Sequence, residues 1–210
     1  MATDPASFRD WIASECKRLG YAWFTSGDLN LNVVAVRNLP GRPNEFDDLL
    51  TCSYRAGGVW VVRAWPCTTD PGLYWLRNPG RTAGTAILKP GQYRGSHVVG
   101  RHKGAYPALV QDRPVAVYRD ANRDEKPDYT GVPVETGMFG INVHASDDDP
   151  FDTADRGAGR PVEKWSAGCV VFATSAEYRE WWSLVTQAAC IYGPRFSLTL
   201  LERNAPVDAV

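Results

Sequence analysis

Leu49-Leu50-Thr51-Cys52-Ser53-Tyr54-Arg55 and Val59-Trp60-Val61-Val62-Arg63-Ala64-Trp65 flank the glycine pair of Ala56-Gly57-Gly58. Two runs rich in β-branched and aromatic residues around such a turn read as a β-hairpin. The pattern continues outward. Upstream, residues 29–36 read as a strand. Downstream, a stretch rich in Gly, Pro and Thr (66–104) holds short strands near 85–88 and 93–99. Residues 108–111 and 115–118 are expected to pair around Asp112-Arg113-Pro114. Residues 139–144 read as a buried strand ending on a histidine, 145–164 as a polar loop, 169–172 as a short apolar strand and 196–201 as a closing strand.

Two helices frame this β region. Phe8, Trp11, Ile12, Cys16 and Leu19 share one face at helical spacing over 6–19, and Gly20 suits the end. Thr174-Ser175-Ala176-Glu177 is a capping box opening a helix through Ile191, with Tyr178, Trp181, Trp182, Val185, Ala188 and Ala189 on its apolar face. The expectation is one mainly β (α+β) domain over 1–210. It divides into an N-terminal helical extension (1–28), a β core (29–173), and a helix with closing strand (174–210).

A chain of 210 residues with 44% hydrophobic residues is long and apolar enough to fold around a sizeable core. Its formal net charge of -1 gives no footprint for nucleic acid, and no apolar run approaches a membrane span. The start, MATDPASFRD, lacks the basic-then-apolar pattern of a secretory signal. The five cysteines, Cys16, Cys52, Cys67, Cys169 and Cys190, include no CxxC, so a thiolate zinc site is not expected. If Arg55 faces Val59, Cys52 faces Val62 rather than Cys67, which argues against a disulfide across the hairpin.

The chemistry concentrates in two segments, Gly140-Ile141-Asn142-Val143-His144 and Trp165-Ser166-Ala167-Gly168-Cys169-Val170. A thiol attacks as thiolate, and a nearby imidazole can take its proton. Cys169 is therefore the candidate nucleophile and His144 its base, on separate strands that must meet in space. Gly168 permits a tight bend before the thiol. Backbone N–H groups around Gly168 and Cys169 are candidates for binding a developing oxyanion. Ser166 is close enough in sequence to orient either the histidine or the bend. A papain-like arrangement is disfavoured, because that class places its cysteine early, at a helix start, with the histidine after it.

This pair of segments resembles the signature of the L,D-transpeptidase (YkuD-type) family. That family carries a strand ending in Gly-Ile-His, then a loop, then Ser/Thr-His-Gly-Cys and an apolar residue. Upstream, Lys89-Pro90-Gly91-Gln92-Tyr93 resembles the family's Thr-Pro-x-Gly-x-Phe/Tyr segment, and Thr68-Thr69-Asp70-Pro71-Gly72 sits where it often has a Ser/Thr-Gly turn. The chain also looks similar to phage-encoded proteins with a Trp-Ser-Ala-Gly-Cys block. The sequence departs from the family in three places. Ala167 replaces its second histidine, Val171 stands where an Arg or Asn usually follows the cysteine, and the loop 145–165 is long, with acidic residues at 147–149, 152 and 155 forming an expected lid or rim.

The resemblance implies a β-sandwich or barrel and a cysteine acyltransferase or peptidase. Cys169 would attack the diaminopimelate carbonyl of a peptidoglycan stem tetrapeptide, releasing D-Ala from a thioester intermediate. An amine acceptor then gives transfer, and water gives carboxypeptidase or endopeptidase cleavage. Trp165, Ala167, His102 and Tyr93 are the expected substrate-side residues. Lacking a signal, such a protein is expected to be made in the cytoplasm and to reach the wall by phage lysis, a virion or a contractile secretion system. The alternative is a non-catalytic phage or virion component, structural or wall-binding, on the same fold.

Other motifs have plainer readings. His97 and His102, five apart, lack a third metal ligand at a telling spacing. Asp120, Asn122, Asp124 and Asp128 resemble the first half of a calcium loop, but Glu125 occupies the turn-glycine position and Gly131 the bidentate-Glu position, so a solvated hairpin tip is the main expectation. No cofactor is required by this reading.

Overall fold

In a computed structural model the chain is mainly β, and residues 4–152 and 159–204 are described. The strands are β1 (Asn32–Asn38), β2 (Asp48–Ala56), β3 (Val59–Thr68), β4 (Thr85–Leu88), β5 (Gly91–His102), β6 (Tyr106–Gln111), β7 (Val115–Asp120), β8 (Val134–Gly137), β9 (Val143–Ala145), β10 (Val170–Phe172) and β11 (Arg195–Arg203). The helices are α1 (Pro5–Arg18), α2 (Leu73–Arg77) and α3 (Ser175–Tyr192). Eight strands close a barrel in the order β1-β11-β5-β6-β9-β10-β3-β2, and β4-β7-β8 form a separate sheet.

The β2–β3 hairpin turns on two residues, with Ala56 opposite Val59 and both Gly57 and Gly58 at positive φ. That backbone suits the twist of the flanking strands and favours glycine. Cys52 consequently faces Arg63, one residue from the expected register. Cys52 and Cys67 are free thiols in either register.

Strand β1 is buried along its whole length because both faces are covered. Val33 and Ala35 join the core that includes Tyr178, Trp181 and Val185 of α3, while Val34 and Val36 pack against Phe8, Ile12 and Cys16 of α1. Burying such side chains contributes about 1.5–3 kcal/mol each, before the entropy of ordering them. Helix α1 is capped by Asp4, whose carboxylate accepts from Ser7 N, and α3 by Thr174, whose hydroxyl accepts from Glu177 N. The N-cap half of the expected capping box is thus present, and the Thr174 hydroxyl also donates to Glu177 Oε2 at 2.8 Å.

One pairing differs from expectation. Strands β6 and β7 do not pair with each other. Strand β6 lies between β5 and β9 in the barrel, and β7 between β4 and β8. The intervening turn is held elsewhere, since Asp112 N and Arg113 N both donate to Ser96 O of β5. Asp112-Arg113-Pro114 therefore carries the chain from the barrel to the second sheet.

Thr68-Thr69-Asp70-Pro71-Gly72 has a structural role. The fully buried Arg37 guanidinium donates from Nε to Thr69 Oγ1 (2.9 Å) and from Nη2 to the Thr69 and Leu88 carbonyls (both 3.0 Å). It also pairs with Asp70 at 3.0 Å. Asp48 accepts from Thr69 N and Oγ1, both at 2.7 Å. A buried charge requires such satisfaction. This network ties β1, β2 and β4 to the turn that leads into α2.

Candidate active site

Strands β9 and β10 are parallel neighbours, with Val170 opposite Val143 and Val171 opposite His144. Val170 N donates to Asn142 O at 2.9 Å, which brings Cys169 alongside Asn142 at the top of the pair. The histidine expected as a base therefore lies in β9, and the cysteine expected as a nucleophile immediately precedes the neighbouring β10. Residues 139–142 are not regular strand; Gly140 sits at φ +75° and turns the chain so that its carbonyl faces the thiol. Cys169 Sγ donates to Gly140 O at 3.3 Å and accepts from Asn142 N at 3.4 Å.

Ser166 orients the bend and not the histidine. Its hydroxyl donates to Cys169 O at 2.9 Å and accepts from Gly168 N at 3.1 Å. The Gly168 N–H, expected to be available for an oxyanion, is therefore engaged by Ser166. Gly168 has φ +116°, and a Cβ there would overlap the Ala86 carbonyl oxygen. Only glycine fits a backbone both left-handed and pressed against β4. Gly72 N holds the same bend from outside by donating to Ser166 O at 2.9 Å.

His144 is buried, with Nδ1 2.8 Å from Ala145 O and 3.1 Å from Tyr106 Oη. A carbonyl only accepts, so Nδ1 carries the hydrogen. Tyr106 in turn donates to Ala145 O at 3.0 Å. This leaves Nε2 as the bare lone pair, buried and without a hydrogen-bond partner. Tyr106 was not singled out from sequence. Its only local signal is its position at the start of β6, opposite His102 across the β5–β6 turn.

His102 stacks on His144, and its Nδ1 lies 3.1 Å from Asn142 Nδ2. It therefore lies against the candidate base. Burial, aided by the Lys103 charge, lowers His102 to about 4. Burial and the neighbouring His102 lower His144 to about 3. Burial raises the Cys169 thiol to about 11, against the opposing pull of the Asn142 N–H and Lys103. Thiol and imidazole therefore rest as a neutral pair rather than as thiolate and imidazolium.

His97 also contributes. Its Nε2 donates to Ile141 O at 2.8 Å, and Gln111 Oε1 accepts from Phe139 N and Ile141 N, both at 3.0 Å. Gln111 N donates to Asn142 Oδ1 at 2.9 Å. His97 and Gln111 fix the backbone that cradles the sulfur, a role that no local pattern in the sequence announces.

Ala167 is exposed and Trp165 half-buried in the same loop as Cys169. Tyr93 is not brought to this cluster, since its hydroxyl lies within reach of the Lys89 and Ala116 carbonyls, joining β5 to the second sheet. The expected acidic rim is thinner than its sequence. Asp147 is buried and accepts from Ser175 Oγ at 2.9 Å, latching the loop to α3, while Asp148 and Asp149 are exposed and Asp155 lies outside the described residues. In the aspartate-rich turn, Asn122 Nδ2 donates to Asp128, Asp128 N to Asp120, and Lys126 N to Asp124. Among the described residues no group of three or more His, Cys, Asp or Glu side chains is placed to hold a metal ion, and no described helix is long and apolar enough to cross a membrane. Comparison with protein-family models, curated proteins and solved structures finds no match to this chain.

Proposed function

We propose that the protein is a cysteine-dependent enzyme of L,D-transpeptidase type, acting on peptidoglycan stem peptides through a Cys169 thioester. The observation that carries this reading is the state of His144. Its Nδ1–H is fixed by Ala145 O and Tyr106, and its Nε2 is left buried without a partner on the strand beside Cys169. An unsatisfied buried acceptor costs stability, so its retention calls for an explanation. Accepting a thiol proton supplies one.

In the proposed reaction Sγ leaves Gly140 O, gives its proton to His144 Nε2 and bonds to the diaminopimelate carbonyl carbon. The tetrahedral intermediate collapses as the C–N bond to D-Ala breaks, and the imidazolium returns its proton to the departing amine. The thioester is then opened by an amine (transfer) or by water (hydrolysis), which regenerates the thiol. The resemblance of residues 140–144 and 166–169 to the family supplies the substrate class. A neutral resting pair requires proton transfer and attack to be coupled, which is general-base rather than preformed-thiolate chemistry.

Incubating the protein with a defined stem tetrapeptide, with and without an amine acceptor, and weighing the products tests this. The expected result is D-Ala release that Cys169→Ala abolishes. Turnover retained in Cys169→Ala excludes the site. A folded wild-type protein with no turnover and no thiol reactivity favours the non-catalytic, wall-binding alternative.

A further inference from the structure

Beside the nucleophile loop lies a cavity of about 140 Å³, lined by Trp75, Arg81, Ala86, Arg119, Phe139 and Ala167 among others. It adjoins the loop that carries the thiol through two of its lining residues. Ala167 is two residues before Cys169, and the Ala86 carbonyl is the group against which Gly168 is pressed. Its walls are tied to the loop and to one another by hydrogen bonds. The Trp75 indole N–H donates to Lys164 O at 3.1 Å, and Thr85 Oγ1 donates to Trp75 O at 2.6 Å.

The charges around this cavity are unevenly matched. Arg119 is buried, pairs with Glu135 at 2.6 Å, donates to Gly84 O at 3.2 Å and lies over the Phe139 ring at 4.6 Å. Nearby Arg77 pairs with Glu125 at 2.8 Å. Arg81 is exposed, and among the described residues no carboxylate pairs with it. A cavity lined by an exposed guanidinium, by a buried one already paired with Glu135 and by aromatic rings is suited to a carboxylate on a short apolar arm. The volume accommodates several water molecules, hence such an arm.

Resting on the function proposed above, we infer that Arg81 and this cavity bind a carboxylate of the acyl donor close to the scissile carbonyl. Two positions after Cys169 stands Val171, which has no charge to offer, so Arg81 supplies anion recognition from the α2–β4 connection instead. Two carboxylates of a stem tetrapeptide are near enough: the distal carboxylate of diaminopimelate and the C-terminal carboxylate of D-Ala.

The test measures binding to Cys169→Ala, so it does not depend on turnover. Calorimetric titration uses three tetrapeptides: the free acid, the diaminopimelate carboxamide and the D-Ala carboxamide. One carboxamide should bind about tenfold more weakly than the free acid, and adding Arg81→Gln should remove that difference by weakening the free acid and the other carboxamide while leaving the sensitive carboxamide unchanged. The carboxamide that loses affinity identifies the carboxylate. Equal affinity for all three peptides, no binding of any, or an Arg81→Gln effect that falls equally on all three overturns the inference. A peptide that binds through Arg81 yet is not turned over by the wild type leaves the subsite standing and removes the catalytic reading.

Discussion

His102 stacks on His144 with ring centroids 3.8 Å apart and planes 22° from parallel. Two imidazoles in that arrangement repel if both are charged, and burial already disfavours charging either. With His97 at about 4, all three histidines are held below their ordinary 6.5. Between 6.5 and about 4 the unfolded chain binds protons that the folded chain refuses. The histidine contribution to stability is therefore complete above pH 6.5 and is lost as pH falls toward the folded values. Denaturant unfolding of the wild type and His97→Gln at pH 7, 6, 5 and 4 should show a shallower acid loss in the variant. Parallel profiles would contradict neutral burial of His97.

Tyr106→Phe should leave the fold intact but free one side of the His144 clamp. The hydroxyl touches both His144 Nδ1 and Ala145 O, and a buried hydrogen bond of this kind is worth about 1 kcal/mol. D-Ala release should fall about fivefold, while the melting temperature drops by only about 2–4 °C. A variant as active as the wild type would show that the tyrosine does not orient the base.

Alkylation by iodoacetamide reports the state of the thiol directly. Because burial raises Cys169 to about 11, its labelling rate should climb about tenfold per pH unit from 7 to 10, without a plateau. A rate already level near pH 6–7 would mean a preformed thiolate–imidazolium pair. Lys103 lowers the Cys169 value by its charge, so Lys103→Gln should slow labelling at every pH in this range.

Gly168→Ala forces a Cβ onto the Ala86 carbonyl at φ +116°. Steric and conformational strain together should destabilise by about 3 kcal/mol, or about 10 °C in melting temperature for a chain of this size. A melting point unchanged from wild type would show that the bend does not press on β4.

Much of this architecture is readable from local pattern. The glycine pair at 57–58, the Thr174–Glu177 box and the apolar face of α1 each encode their own element, because turn chemistry, capping and helical periodicity are local. The pairing of β6 and β7 with different sheets is not local, since it depends on Ser96 O accepting from Asp112 and Arg113. The same division holds at the site. Cys169, His144, Ser166 and Gly168 stand out by spacing, whereas Tyr106, His97 and Gln111 act through contacts across 28 to 44 positions of sequence. Nothing within a few residues of them signals their partners. Tyr93 illustrates the converse, because its motif-like setting places it at a sheet junction.

The nucleophilic role of Cys169 is tested most directly by the intact mass of the folded protein after exposure to a carbapenem as acylating probe. A single adduct should appear, map to the peptide containing Cys169 and be missing from Cys169→Ala. It should form far more slowly in His144→Ala. No adduct on folded wild-type protein, with all five cysteines alkylated once it is unfolded, would contradict the account.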